Sequence, residues 1–310
     1  MKIVTLTLCA AFDIHAESEK IIPGRENLSK ITDHNAGGKG VNISRALNRF
    51  GADNAALVVV GDENGDKFVK RLENENICLQ IVRIPGRIRE NITIHTSNGE
   101  ETRISFAGDF VPEDLLLKIA AVTDEICDKD TVVTFTGRLP AGVSVFSAKK
   151  YIKKLQERGI RIVIDSKSFT LDDIIELKPF LIKPNEEEIE EYLGRDISDF
   201  GSAAKAAREL SLSGIENVMI SLGEKGAVLC SNSELYSAAA PKINAVSTIG
   251  AGDSSIAGFL YAMSKGADSA ERLKAAVAFG SAACLTPGTN PPDPAEVERL
   301  LEITAIESLN

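Results

Sequence analysis

Thr248-Ile249-Gly250-Ala251-Gly252-Asp253-Ser254-Ser255 places a carboxylate at the mouth of a backbone turn small enough to cradle a phosphate. Gly250, Ala251 and Gly252 carry almost no side chain, so successive N–H groups are free to converge on one anion. Ile256, Phe259, Leu260 and Met263 then recur at helical spacing, which sets the turn at a helix N-terminus. Such a terminus attracts anions, yet Asp253 is itself negative. Two readings fit. In one, the N–H groups hold a transferring phosphoryl group while Asp253 takes the proton of the attacking hydroxyl. In the other, Asp253 is an ordinary cap that accepts hydrogen bonds from the first turn.

Outward from this turn, β-rich runs alternate with helical patterns along most of the chain. That rhythm predicts an α/β fold, a doubly wound and mostly parallel sheet covered by helices. The clearest strands are residues 3–8, 56–60, 131–136, 161–164, 180–182 and 218–222. Helical stretches include 41–50, 144–158, 186–193 and 203–212, then 253 to about 285, and 294–301. No repeat, low-complexity tract or linker interrupts the chain, so residues 1–310 read as one domain. Two excursions, at about 14–35 and 90–107, break the rhythm. The second is a hairpin that turns at Asn98-Gly99. Each is too short to build a core, so the two are expected to pair as a small β lid over a pocket.

Bulk composition narrows the partners. With 44% hydrophobic and 26% charged residues, the chain has material for a sizeable core. Its 45 acidic against 35 basic side chains give a net charge of −10, which argues against binding nucleic acid or an anionic membrane. Any phosphate ligand must find its positive partners gathered locally. Five scattered cysteines and three separated histidines offer no disulfide or metal spacing. The β-rich N-terminus is too short for a signal peptide, and no run approaches a membrane span, so a cytoplasmic location is expected.

Four further segments carry polar groups at element ends. Ala36-Gly37-Gly38-Lys39-Gly40-Val41-Asn42 opens a helix, and matches neither the Walker A nor the dinucleotide spacing. Its glycines permit close approach to a polyol and Lys39 has the reach for a phosphate, but a plain glycine turn fits equally. Lys183-Pro184-Asn185-Glu186-Glu187-Glu188 follows a strand and has capping-box spacing between Asn185 and Glu188. The same pair suits a hydrated Mg²⁺, which keeps much of its water. Ser221-Leu222-Gly223-Glu224-Lys225-Gly226-Ala227 reads as a strand, a tight turn and a strand, or as a nucleotide-facing loop. Arg25, Arg87, Arg89, Arg103 and Arg138 are either solvated or a phosphate clamp.

Taken in order, these segments resemble the PfkB (ribokinase-like) carbohydrate kinases over essentially the whole chain. The matching residues are Gly37-Gly38-Lys39-Gly40-x-Asn42, Gly137-x-Leu139-Pro140-x-Gly142, Lys183-Pro184-Asn185-x-x-Glu188, Ser221-Leu222-Gly223-x-x-Gly226-Ala227 and Gly250-Ala251-Gly252-Asp253. Gly38-Lys39-Gly40, Gly86-Arg87-x-Arg89-x-Asn91 and Thr102-Arg103-Ile104 are similar to the branch that acts on phosphorylated ketohexoses. The resemblance implies an ATP- and Mg²⁺-dependent kinase that phosphorylates fructose 1-phosphate, with tagatose 6-phosphate or fructose 6-phosphate as alternative acceptors. A non-catalytic sugar-phosphate sensor on the same scaffold is the rival from another class.

Residue by residue, the resemblance implies that Asp253 is the base, with Gly250, Ala251 and Gly252 as the anion hole. Lys183, Asn185, Glu188, Ser221, Gly223 and Gly226 fall on the nucleotide side, with Asn185 and Glu188 organising Mg²⁺ through water. Asp13, Gly37, Gly38, Lys39 and Asn42 fall on the sugar, and Arg89, Arg103 and Arg138 on its phosphate. A homodimer joined through the lids is also implied, since exposed strand edges are sticky. Three positions depart from the pattern, all on the sugar side: Cys9-Ala10 before Asp13, Phe106-Ala107 at the end of the flap, and Arg138 in place of a more usual serine.

Overall fold

The central strands of the larger sheet are short, apolar and buried on both faces, as parallel strands covered by helices must be. The computed structural model of the chain describes residues 1–309. The first part runs β1 (Ile3–Thr7), β2 (Ala11–Ser18), β3 (Lys30–Gly37), α1 (Lys39–Arg49), β4 (Asn54–Gly61), α2 (Gly65–Asn74), β5 (Leu79–Ile84), β6 (Arg89–Thr96) and β7 (Glu101–Ser105). It continues through α3 (Leu115–Ile126), β8 (Val132–Thr136), α4 (Val145–Glu157), β9 (Arg161–Asp165), α5 (Leu171–Leu177), β10 (Leu181–Ile182), α6 (Glu186–Leu193), α7 (Phe200–Leu212) and β11 (Asn217–Ser221). The last part is β12 (Gly226–Ser231), β13 (Glu234–Ala239), α8 (Ala251–Ser264), α9 (Ser269–Ala283), α10 (Pro294–Ile303) and β14 (Ile306–Ser308).

Ten strands form one sheet in the order β14-β13-β12-β11-β10-β9-β8-β1-β4-β5. From β11 to β5 every pairing is parallel, and β12, β13 and β14 add an antiparallel edge. The chain leaves β1 toward β4 and β5, then returns to its other side for β8 to β11. That reversal opens a crevice at the carboxyl ends of β1 and β8, the usual ligand position in such sheets. Apolar clusters fill both faces, one including Leu6, Phe135, Phe169 and Ile189, the other Ile3, Ile43, Phe259 and Phe279.

The two excursions form a separate four-stranded sheet, β3-β2-β6-β7. They extend a few residues beyond the expected limits, to Ala11 at one end and Gly37 at the other. β2 is the hub, antiparallel to β3 and parallel to β6. One correction concerns the C-terminal helical run. It is two helices, because Gly266 turns left-handed (φ 81°) and Asp268 caps the second with a reciprocal bond to Glu271. Among the described residues no helix is long and apolar enough to cross a membrane.

Close approach of α1 to β1 fixes the crevice, and glycine makes it possible. A methyl group at Gly40 would lie 2.7 Å from the Leu6 carbonyl oxygen and 2.5 Å from Thr7 Oγ1. Deeper along the same contact, Thr5 Oγ1 and Ser44 Oγ share a 2.7 Å hydrogen bond. Gly40→Ala is therefore expected to destabilise the fold by about 1–3 kcal/mol, the usual range for overpacking. Thermal melting checks this, and an unchanged Tm contradicts it.

Candidate active site

Residues at the carboxyl ends of the parallel strands converge on the crevice. Asp165 ends β9, Lys183 follows β10, and Ser221 ends β11. From the opposite side α1 contributes Lys39 and Asn42, and α8 contributes Asp253. Gly250 enters α8 in the left-handed region (φ 81°), which a side chain disfavours. No side chain caps this helix; Ala251 N–H reaches the Thr248 carbonyl at 3.4 Å, and no side chain occupies the N–H groups that follow it.

The cap reading of Asp253 does not hold. Its side chain does not cap α8; it accepts a 2.9 Å hydrogen bond from Asn42 Nδ2, across from another helix. The carboxylate is buried, and burial pushes its pKa up to about 6, with Asp165 adding to the rise while Lys39, Asn42 and Lys183 oppose it. Lys39 Nζ sits 2.8 Å from Asp165 Oδ2. Burial alone would lower the Lys39 pKa, but Asp165 and Asp253 hold it above its ordinary value. Burial would likewise raise Asp165, yet Lys183 and Lys39 keep it below the usual carboxylate range. Lys183 is also buried, and a methyl group at Gly252 would lie 3.1 Å from its ammonium, so that charge rests against the first turn of α8.

A second cluster lies on the small sheet. Asn91 Nδ2 donates to Asp13 Oδ1 at 2.9 Å, and Arg103 Nη2 stands 3.6 Å from the same oxygen. The Asp13 carboxylate packs directly over Gly37, where any side chain would collide with it. Gly38 (φ 130°) makes the turn from β3 into α1. Arg89 is half-buried; its Nη1 donates to the Phe106 carbonyl at 3.3 Å, and its Nε is buried without a hydrogen-bond partner. Arg138 is exposed on the turn after β8. No hydrogen bond or ion pair joins it to either cluster among the described residues.

Asn185 and Glu188 form a reciprocal capping box at the start of α6: Glu188 N–H to Asn185 Oδ1 at 2.8 Å, and Asn185 N–H to Glu188 Oε2 at 3.1 Å. Glu188 Oε1 stays outside this pair, 3.6 Å from Lys167 Nζ. Gly223 (φ 56°) begins a one-turn 3₁₀ segment after β11. Gly226 (φ 124°) is packed against the Ala238 carbonyl, where a side chain would clash. Asp165 is the group that sequence reasoning missed. Its signal is a lone carboxylate closing the apolar buried run Ile162-Val163-Ile164.

Known proteins resemble this chain over nearly its whole length. A family model described as pfkB family carbohydrate kinase matches residues 2–296. A 1-phosphofructokinase of Haemophilus influenzae is 30% identical over 309 residues, covering 98% of this chain and 99% of that protein. The crystal structure of phosphofructokinase-2 from Escherichia coli in complex with substrates and products superposes with a TM-score of 0.92, at 27% identity over 97% of this chain and 99% of that one. A tetrameric inhibited form of the same Escherichia coli protein gives a TM-score of 0.87 at 26% identity, covering 97% and 98% of the two chains.

The buried Asp253 has a consequence for stability. Its folded pKa, about 6, lies above the ordinary 3.8, so folding binds the proton more tightly than the unfolded chain does. The penalty is absent below about pH 4, grows as pH rises through 6, and reaches on the order of 2–3 kcal/mol above it. Asp253→Asn should therefore melt at a higher temperature than the parent at pH 8, with the gap closing toward pH 4. Equal melting temperatures at pH 8 contradict this.

Proposed function

The chain belongs to the pfkB family of carbohydrate kinases, and from that premise we propose that it transfers the γ-phosphate of ATP to a primary hydroxyl of fructose 1-phosphate, giving fructose 1,6-bisphosphate. The observation that carries this reading is the buried Asp253 carboxylate, hydrogen-bonded by Asn42 beside the uncapped first turn of α8 and two lysines. Asp253 takes the proton of the attacking hydroxyl. The N–H groups of Gly250, Ala251 and Gly252, with Lys39 and Lys183, face the negative charge that spreads over the transferring phosphoryl oxygens.

On the acceptor side, Asp13 is oriented by Asn91 and Arg103 and holds the sugar hydroxyls, with Gly37 and Gly38 allowing close approach. Arg89 faces the phosphate already present on the sugar; its unpaired buried Nε supports that role. On the donor side, Ser221, Gly223 and Gly226 border the nucleotide. Glu188 keeps one carboxylate oxygen outside its capping box, and no cluster of three or more metal-binding side chains exists among the described residues. This sparse donor set fits Mg²⁺, which retains its waters and binds largely through substrate phosphates. Asn185 and Glu188 would hold it through water, where it supplies charge neutralisation to the ATP phosphates.

The small sheet acts as the lid of a single 310-residue unit. It meets the body beyond the crevice, where a methyl group at Gly288 would lie 3.3 Å from His15 Nε2. Closure excludes water, which otherwise competes as acceptor. Burial along β6 is inverted: Asn91 and Thr93 are buried toward the site while Ile92 and Ile94 are half-exposed on the opposite face. Period-2 alternation and strand pairing put Ile14 and Ile104 on that face too. A second copy of the lid is the occupant this apolar face suits, giving a homodimer. The tetramer of the Escherichia coli phosphofructokinase-2 supports association within the family.

Coverage of whole 1-phosphofructokinases supports fructose 1-phosphate, while the likeness to phosphofructokinase-2 supports fructose 6-phosphate as the second reading. ADP release with Mg-ATP decides, against fructose 1-phosphate, fructose 6-phosphate, tagatose 6-phosphate, fructose, ribose and adenosine. Preference for fructose 1-phosphate is expected. An unphosphorylated acceptor overturns the phosphate assignment, and tight sugar-phosphate binding without turnover identifies a sensor. Arg89→Ala should raise the sugar-phosphate KM at least about tenfold, the order of one lost charged hydrogen bond, and leave the ATP KM near its parent value. Equal effects on both refute the assignment. Ile92→Arg should sediment as a monomer where the parent sediments as a dimer; an unchanged sedimentation coefficient refutes the lid interface.

A further inference from the structure

Asp165 is buried at the crevice and has no part in the roles given above. Its neighbours are set by sheet register. Ile182 on β10 pairs with Ile164 on β9, so Lys183 and Asp165 leave the sheet side by side, and Thr136 on β8 pairs with Asp165 from the other side. Across the crevice Lys39 arrives from the N-terminus of α1 and places Nζ 2.8 Å from Asp165 Oδ2. The Asp165 side chain is 4% exposed and that of Lys39 38%, so the carboxylate is the fixed partner and holds an otherwise mobile ammonium.

The charges around this pair come from several elements. Lys39 stands on α1, Lys183 after β10, Lys167 after β9, Glu188 on α6 and Asp253 on α8. Among these groups Asp253 is the one with a reacting role, and its hydrogen bond comes from the neutral amide of Asn42. An ammonium seated directly on Asp253 would occupy the lone pairs that a base needs and lower the carboxylate's affinity for the proton it must take. An ammonium held on Asp165 still attracts incoming phosphoryl oxygens but leaves the base free.

We propose that Asp165 is a positioning residue for phosphoryl transfer, holding Lys39 beside the reaction centre and off the Asp253 carboxylate. This rests on the reading of Asp253 as the base. Two consequences follow from charge alone. Removing the negative charge of Asp165 and releasing Lys39 both favour ionised Asp253, so the acid limb of the rate profile moves to lower pH. Removing Lys39 takes away a positive charge near Asp253, so the limb moves to higher pH.

Steady-state ADP release by the full chain, with its preferred acceptor and across pH about 5 to 9, tests this on Asp165→Asn, Lys39→Met and the double variant. Asp165→Asn is expected to lower kcat about 100-fold, the scale of a misplaced group, with the ATP KM within about threefold of the parent. Its acid limb should shift down and that of Lys39→Met should shift up. In the Lys39→Met background, Asp165→Asn should cost no more than about threefold, because the residue acts through the lysine. Parent-like kcat in Asp165→Asn, an unmoved limb, or full additivity in the double variant each overturns the proposal. Asp253→Asn is run alongside: if it alone loses turnover, only the role of Asp165 fails, and if it too turns over normally, the base reading has failed. Thermal melting establishes that each variant is folded. Should Asp165→Asn not fold, Lys39→Met decides, and an acid limb that stays in place there overturns the proposal.

Discussion

In the proposed reaction the Asp253 carboxylate must accept a proton while buried among charged neighbours, and the arrangement around it answers that constraint. Left alone in a buried position, Asp253 would be protonated and useless as a base. Tied to a lysine it would be ionised and blocked. The structure takes a middle course. Asn42 gives one neutral hydrogen bond, the N-terminus of α8 gives a partial positive charge, and Lys39 and Lys183 lower the pKa from nearby. With Asp165 included, two buried carboxyl groups face two ammonium groups. The protein carries a net charge of −10, so the proposed approach of phosphates depends on this local concentration of positive charge.

Backbone geometry delivers those groups. The sheet reverses its strand order at β1 and β8, so strand ends supply Asp165, Lys183 and Ser221 to one crevice. Gly40 lets α1 lie against β1, which brings Lys39 and Asn42 within reach of residues more than 120 positions away. Gly250 turns the chain into α8 so that Asp253 faces Asn42 rather than its own helix end. On the small sheet, alternation gives each face one job. Asp13, Asn91 and Arg103 share the polar face, while Ile14, Ile92 and Ile104 share the apolar one.

Much of this was legible before folding, and the illegible parts share a cause. The parallel strands announce themselves as apolar runs because both of their faces are buried. The glycine turns announce themselves because a left-handed or crowded backbone position admits little else. Edge strands such as β5 and β14 were not identified, since their half-exposed sequences mix polar and apolar residues. The break between α8 and α9 hid inside a continuous apolar pattern, although Gly266 and Asp268 mark it. Lys39, Asn42 and Asp253 stand out in the sequence because they sit in glycine-rich segments, and Asp13 is singled out through the family resemblance alone. Asp165 does not stand out, because its importance lies in a partner 126 residues away, which no local pattern encodes. The family resemblance implies that Arg103 contacts the sugar's phosphate, and the fold sets it beside the Asp13 carboxylate.

The claim at the centre of this account is that Asp253 serves the chemical step and not binding. The most direct measurement is kcat for Asp253→Asn set beside calorimetric Kd values for ATP and the acceptor. The account predicts a kcat loss of about 10²–10⁴-fold, the range for removal of a general base, with both Kd values close to those of the parent. Near-parent turnover, or a loss of activity explained by weaker binding, would contradict it.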